Sequence, residues 1–475
     1  MRTVAVYLLC IYVMLSQTAT SQSIYFEETF DSFGGFTDHS NGAIQVAGGY
    51  VFIYSGIKYT SSPRESSVCF TRFNEDASVI STDTCYSADS TTFYHTWLIG
   101  SDNNSYSIAG YLIKPNHQTT GMGIYTFGLD GAKTNAIEYF NDTMTYYPTE
   151  FLALDTTFVV CGQSRHSNNY DFSLTKITKS GIVVFEKCYG GNADEAAQSL
   201  ILTPDGGFLL LGWTSSFGAG ERDFFLIKTD SLGNQQWQKT YGGSDFDSGW
   251  GISSLSDGNY ILSGLTGNSG KLYKIDADGV TIWQHSYSYN GDLTELYWTK
   301  ELQNGSLVTV GLGDNSTDGN YGYLQKTDSE GNLLWQQKYN YNENTDLFYN
   351  VLPTADDGFL LSGQCANNVT GQDAWLLKVD SLGCPYPNCT VGIAEETKMV
   401  ALNIWPNPAT EVLNVEVFNA KETTVNIKDV LGKEVYHSIF TEAKIAVDIS
   451  QFKKGMYVVE VGMGNTSIIK KLIVQ

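Results

Sequence analysis

Short apolar runs alternate with turn residues along most of this chain, and the alternation repeats about every fifty residues. An aromatic or aliphatic run ending in glycine recurs seven times, at Gly56, Gly110, Gly162, Gly212, Gly264, Gly311 and Gly363, with spacings of 54, 52, 50, 52, 47 and 52. Each copy reads as four short strands. In the fifth copy they fall at residues 249–255, 260–265, 271–275 and 281–287. Asp257-Gly258 suits a two-residue hairpin turn, since both positions tolerate positive φ. The next hairpin closes with Asp276-Ala-Asp-Gly279, and the same chemistry recurs at Asp230, Asp328 and Asp380. There the carboxylate accepts a turn N–H and the glycine takes the left-handed position. Calcium is the alternative reading of these aspartates, but no oxygen-rich loop of ion-binding spacing surrounds them. Trp237, Trp283 and Trp335 share one position of the fourth strand and are expected to pack between neighbouring sheets.

Repeats of this length with four strands each are propeller blades, because radial stacking buries both faces of every small sheet. The ends of the array supply a second argument. The seventh repeat has three strands and then runs into CPYPNC, while an unmatched strand at residues 24–30 precedes the first repeat. That strand is expected to lie beside residues 374–379, closing the ring and removing an exposed edge. The chain is thus expected to be all-β. A seven-bladed β-propeller spans residues 22–383, a linker 384–399, and a small Ig-like β-sandwich 400–475. In the last segment alternation predicts strands at 413–418, 424–428, 444–449, 456–461 and 468–474.

Composition agrees with β structure and adds a location. The chain has 47 Gly, 30 Tyr and 24 Phe, with a formal charge of −23. Such acidity excludes nucleic acid, whose phosphates are met by Lys and Arg, and disfavours an anionic membrane surface. Arg2 precedes an apolar run at residues 4–15, of signal-peptide length and too short to span a bilayer. Ala19 and Ser21 place cleavage before Gln22, so residues 1–21 read as a signal peptide. Cys10 follows the bulky Leu9, which does not suit lipid attachment, and belongs to the apolar run. No later segment is apolar enough to cross a membrane as a helix. Export permits disulfides. Cys69 and Cys85 flank a predicted hairpin turn symmetrically, and Cys384 and Cys389 close a short loop, so these are the expected pairs. Cys161 and Cys188 fall two strand spacings apart, beyond disulfide reach.

The final segment carries WPNPATEVLNVEV at residues 405–417, IKDVLGKEV at 427–435, DISQFKKGMYVVEV at 448–461 and the terminal IIKKLIVQ. In this order the motifs resemble the type A C-terminal sorting domain of the Bacteroidetes type IX (Por) secretion system, with Trp405 in place of the usual Tyr. The resemblance implies export on the signal peptide, recognition by that machinery at the outer membrane, and release or attachment at the cell surface. The matching positions are Pro406, Asn407, Pro408, Gly432, Gly455, Tyr457, Lys470 and Lys471. Each also has a plain fold role: the prolines extend the entry to a strand, Gly432 serves a turn, and Gly455 begins a strand. The repeats resemble the propellers of many exported Bacteroidetes proteins, which implies no agreed activity.

No catalytic motif is present: there is no HExxH, no GxSxG and no cysteine pair at zinc spacing. The six histidines are scattered, and no cofactor follows from the sequence. Loops joining fourth to first strands and second to third strands should emerge on one face. They carry Arg165, His166, Asp194, Glu195, Arg222, Asp223, Asp245, Asp247, Trp250, Asp314, Asp318, Asn344 and Asp346. Carboxylates and rings converging there would suit sugar hydroxyls or a cation; solvated loop charges are the plainer reading. Two function classes follow. One is a non-catalytic surface module binding glycan or protein. The other is a secreted polysaccharide hydrolase or lyase using paired loop carboxylates.

Overall fold

The computed structural model describes residues 26–30, 37–46, 49–58, 65–74, 79–86, 92–102, 105–113, 120–128, 132–141, 143–165, 169–315, 319–341, 345–367, 371–386, 389, 397–398, 402–417, 423–429, 433–440, 444–463 and 466–474. The expected signal peptide, His166, Asp318, Asn344 and Gly432 lie outside the described residues.

Each of the first six repeats folds into an antiparallel four-stranded array with consecutive strands as neighbours, and the seventh contributes three such strands. Among the described residues the innermost strands are Thr37–Val46, Thr92–Asp102, Thr145–Ala153, Glu195–Leu202, Asp247–Ser254, Leu293–Glu301 and Leu347–Pro353. Each packs against the innermost strand of the next sheet, and the seventh sheet packs against the first. The sheets therefore form a closed circle, the arrangement of a β-propeller. Its apolar runs are continuous because both faces of a sheet are covered. In FLLLG, Leu210 joins a core shared with the preceding sheet through Val159, Phe172 and Leu174. Leu209 and Leu211 join the core of the following sheet through Ile252, Leu262 and Tyr273.

The circle closes as the terminal strands predict. Strand Phe26–Phe30 pairs antiparallel with Gly371–Val379, Phe26 opposite Lys378 and Phe30 opposite Ala374. Trp375 Nε1 donates to Glu27 Oε1 at 2.9 Å, and the Phe30 ring lies 5.1 and 4.9 Å from Phe52 and Tyr54 of the first sheet. One strand thus ties the end of the array to its beginning. The linker adds a further pairing: Thr397–Lys398 runs parallel to the outer strand of the sixth sheet at Tyr339 and Asn340.

Neighbouring sheets are also latched at their outer strands. A tyrosine hydroxyl of one sheet donates to the turn-glycine carbonyl of the next: Tyr189 to Gly233, Tyr241 to Gly279, Tyr287 to Gly331 and Tyr339 to Gly383, at 2.5 to 2.8 Å. The turns bind their own aspartates as expected. Asp230 Oδ1 accepts the Leu232 and Asn234 amides at 2.9 and 2.8 Å, and Asp276, Asp328 and Asp380 repeat the pattern. The tryptophans of the fourth strands do pack across sheet boundaries; Trp335 lies 6.2 Å from Phe359 of the next sheet.

Cys384 and Cys389 form the expected disulfide. Cys69 does not bond Cys85. The hairpin register sets Cys69 opposite Thr84 and Cys85 opposite Val68, an offset of one residue. Alternate residues face opposite sides of a sheet, so that offset separates two otherwise neighbouring positions. Between Cys161 and Cys188 stands the third strand of their sheet, with Leu174 beside Cys161 and Ser173 beside Cys188.

The tail has two sheets around one core. Leu402–Trp405, Val412–Val417 and Lys444–Asp448 form one; Glu434–Phe440, Thr423–Asp429, Gly455–Met463 and Thr466–Val474 form the other. Leu413, Val415, Val425, Ile427, Val459, Val461 and Leu472 fill the space between. Strands Leu402–Trp405 and Glu434–Phe440 are absent from the alternation-based reading. The first is only four residues long, and the second opens on two exposed positions, Glu434 and Val435.

Candidate functional site

The repeat glycine and the innermost strand together build the site. In five described sheets the innermost strand carries a one-residue bulge opposite that glycine, at Thr149, Gln198, Trp250, Tyr297 and Tyr349. The bulge pushes a carbonyl onto the glycine's α-carbon. A Cβ at Gly162, Gly212, Gly264, Gly311 or Gly363 would collide with the carbonyl of Tyr147, Ala196, Ser248, Glu295 or Leu347, respectively. Only glycine fits there, and the extra residue re-aims its own side chain.

All five bulged residues line one cavity at the middle of the ring, with Glu150, Trp298 and Asn350; its volume is about 240 Å³ and it opens to solvent. Trp250 and Tyr297 stand perpendicular with centroids 5.4 Å apart, and Tyr297 and Tyr349 lie 5.5 Å apart at 40°. Trp250 Nε1 and the Tyr297 hydroxyl, the latter at 3.0 Å, both donate to the Glu295 carboxylate. Burial raises the Glu295 carboxyl above the usual range, and burial with the Glu295 charge pushes the Tyr297 and Tyr349 hydroxyls up. Glu150 accepts from Ser199 Oγ at 2.7 Å and from the Leu200 amide at 3.0 Å. Burial nevertheless pushes its carboxyl up to about 7. Burial lowers Lys300, opposed by the Glu150 charge. The cavity offers aromatic faces beside carboxyl groups, a combination that suits sugar rings and their hydroxyls.

Of the described residues picked out on the loops, Trp250 alone lines this cavity. The buried carboxylates instead hold loop backbone. Glu195 accepts the Gly191 amide at 2.9 Å and the Thr214 hydroxyl at 2.7 Å. Asp247 accepts the Gly243 amide at 2.6 Å, Asp223 those of Ala219 and Gly220 at 3.0 and 3.1 Å, and Asp346 those of Tyr341 and Ala366. At 0–2% exposure these four are not available to an external ligand, which corrects their place among the candidates of a ligand-binding face. Asp194 and Asp245 are exposed, Asp314 is half-buried, and Asp194 Oδ1 accepts the Tyr170 amide at 2.9 Å. Arg165 lies with its guanidinium 5.5 Å from the Tyr170 ring. The two loop types do share a face, for the Asp247 amide donates to the Arg222 carbonyl at 3.0 Å. Among the described residues no cluster of three metal-ligating side chains occurs.

Sequence reasoning missed the lining residues Thr149, Glu150, Gln198, Tyr297, Trp298, Tyr349 and Asn350, and Glu295, which holds two of the rings. A signal was there. The residue fourteen positions before the repeat glycine reads Gln198, Trp250, Tyr297 and Tyr349 in consecutive copies, and thirteen before gives Thr149.

In the tail, Asn407 joins the first motif to the last strand. Its amide donates to the Lys471 carbonyl at 2.8 Å and its Oδ1 accepts the Ile473 amide at 2.9 Å. Pro406 and Pro408 are exposed beside it. Gly455 takes φ 152° at the start of its strand, and the buried Tyr457 donates to the Lys453 carbonyl at 2.8 Å. Lys470 is half-buried and Lys471 exposed.

Strand pairing and tail together define an exported β-propeller protein. Residues 403–475 match the family model of the secretion system C-terminal sorting domain, and they are that domain. The protein is accordingly a cargo of the type IX system of Bacteroidetes, secreted or attached to the cell surface. Among the described residues no helix is long and apolar enough to cross a membrane. An endo-acting ulvan lyase of Formosa agariphila is 26% identical over 204 residues, covering 40% of this chain and 39% of that protein. The chain thus spans about two fifths of this relative. Among solved structures, YCF48 bound to D1 peptide is 12% identical with TM-score 0.43, covering 77% of this chain and 99% of that one. The β-propeller domain of the Trilobed protease from Pyrococcus furiosus is 10% identical with TM-score 0.41, covering 72% and 94%.

Proposed function

We propose that the protein is a seven-bladed propeller displayed by its sorting tail as a non-catalytic glycan-binding module, with the sugar seated in the central cavity. The carrying observation is the set of rings Trp250, Tyr297 and Tyr349, held around Glu295 by bulges in three successive sheets. Sugar faces stack on such rings while hydroxyls donate to carboxylates. The domain limits are 22–383 for the propeller, 384–399 for the linker and 400–475 for an Ig-like sandwich; limited proteolysis should cut first within the linker. The test of binding is a glycan array with the full chain and its Trp250→Ala and Tyr349→Ala variants. Selective binding that falls at least tenfold in either variant supports the reading. An array blank for the wild type overturns it.

A second reading, a polysaccharide hydrolase or lyase, draws on Glu150. A carboxyl with pKa about 7 holds a proton near neutral pH, as a general acid must. The ulvan lyase likeness points the same way. Its carboxylates would be Glu150 and Glu295 rather than those of the loops. Release of oligosaccharides from a panel of polysaccharides, abolished by both Glu150→Gln and Glu295→Gln, would favour this reading over pure binding.

A further inference from the structure

Arg222 stands apart from the other charges of this molecule. Its guanidinium carbon lies 3.6 Å from the centroid of the Trp213 ring and 5.0 Å from that of Phe246. Two loops create this clamp: Arg222 ends the loop between the second and third strands of the fourth sheet, and Phe246 ends the loop entering the fifth. A backbone bridge between Arg222 and Phe246 fixes one loop to the other. Phe246 is 41% exposed, and Trp213 and Arg222 are half-buried, so the clamp opens on the loop face. Among the described residues no carboxylate lies within ion-pair distance of Arg222; Asp194 acts on it only through its field. Stacking occupies the faces of its guanidinium and leaves the N–H edge for an acceptor.

We propose that Arg222, clamped by Trp213 and Phe246, is a subsite for the carboxylate of an acidic sugar. The planar fork of N–H donors matches a planar carboxylate through two parallel hydrogen bonds. The Phe246 ring offers the apolar face against which the sugar carbons lie. Because two aromatic contacts already hold the guanidinium, little side-chain freedom is lost on binding. The overall charge of −23 opposes a polyanion at long range, so recognition is local, one acidic residue at a time. This subsite rests on the glycan-binding reading, but it uses none of the cavity residues. Phe246 immediately precedes the strand that carries Trp250, which puts both on one innermost strand's approach.

The test measures binding of the full chain to oligouronides, to the same oligomers methyl-esterified, and to sulfated neutral oligosaccharides. The wild type should prefer the free acid at least tenfold over the ester. Arg222→Lys and Arg222→Ala should both erase that preference, since an ammonium cannot supply the fork, while thermal midpoints stay near wild type. Equal binding of acid and ester overturns the subsite, as does a preference for the sulfated sugars or an Arg222→Lys variant that behaves as wild type. Trp250→Ala separates the two ideas. Loss of all binding in Trp250→Ala with no acid preference leaves the cavity reading and removes the subsite. Acid preference dependent on Arg222 but indifferent to Trp250→Ala leaves the subsite and removes the cavity.

Discussion

The Tyr241 hydroxyl donates to the Gly279 carbonyl at 2.8 Å across the boundary between the fourth and fifth sheets. The acceptor belongs to the turn that Asp276 organises, so a local hairpin signal doubles as a contact between sheets. Tyr241→Phe keeps the ring and removes the donor. It should lower stability by about 1 kcal/mol, seen as a reduced denaturant midpoint. Glycan binding should be unchanged, because the latch lies on the outer strand.

The repeat glycines should differ sharply from the turn glycines. Gly311→Ala drives a methyl group into the Glu295 carbonyl and displaces the bulge that presents Tyr297. A loss of roughly 3 kcal/mol or more is expected, together with loss of ligand binding. Gly258→Ala meets no atom within 4 Å and carries only the φ of +84°, so about 1 kcal/mol is expected with binding retained. Chemical denaturation and binding of the two variants, side by side, check this.

Three hairpin aspartates pair with lysines of the third strands, and burial ranks them. Lys378 and Asp356 meet at 2.9 Å with side chains 2% and 8% exposed, whereas Asp205 opposite Lys228 is 55% exposed. Asp356→Asn strands a buried ammonium and should cost about 3 kcal/mol. Asp205→Asn removes a partner that already faces solvent and leaves Lys228 Nζ donating to Gln236 Oε1 and the Thr229 carbonyl, so it should cost under about 1 kcal/mol. Equal losses in urea unfolding would contradict the ranking.

Stability should fall between pH 4.5 and about 7. Glu27 and Glu150 both have carboxyls raised from 4.5 to about 7, chiefly by burial. A raised acid is fully accommodated below its unfolded value, and the advantage is lost as pH rises through the folded value. Glu150→Gln should flatten this decline by roughly 1 kcal/mol once screening at the half-open cavity is allowed for. Unfolding midpoints measured across that range provide the check. A decline undiminished in both Glu150→Gln and Glu27→Gln would place its origin elsewhere.

Much of the architecture was legible because it is written locally. Asp-Gly turns, apolar runs ending in glycine, the unmatched strand at residues 24–30 and the cysteines of CPYPNC each act over a few residues, and repetition multiplies their signal. The pairing of Phe26–Phe30 with Gly371–Val379 and the Cys384–Cys389 bond follow from them. The tail's motifs place export in the sequence as well.

The site was a different matter. Strand alternation says which side of a sheet a residue takes, but one bulged residue resets that parity. Tyr297 and Tyr349 therefore read as ordinary strand positions until the ring brings their bulges around one cavity. Likewise Glu195 and Asp247 look like loop charges; only the folded loops show backbone amides waiting for them. Sequence alone determined the propeller's strands and turns, because those depend on neighbours along the chain, and the unmatched strand at its start pointed to how the circle closes. Tertiary structure alone decided which side chains meet, because that depends on sheets far apart in sequence.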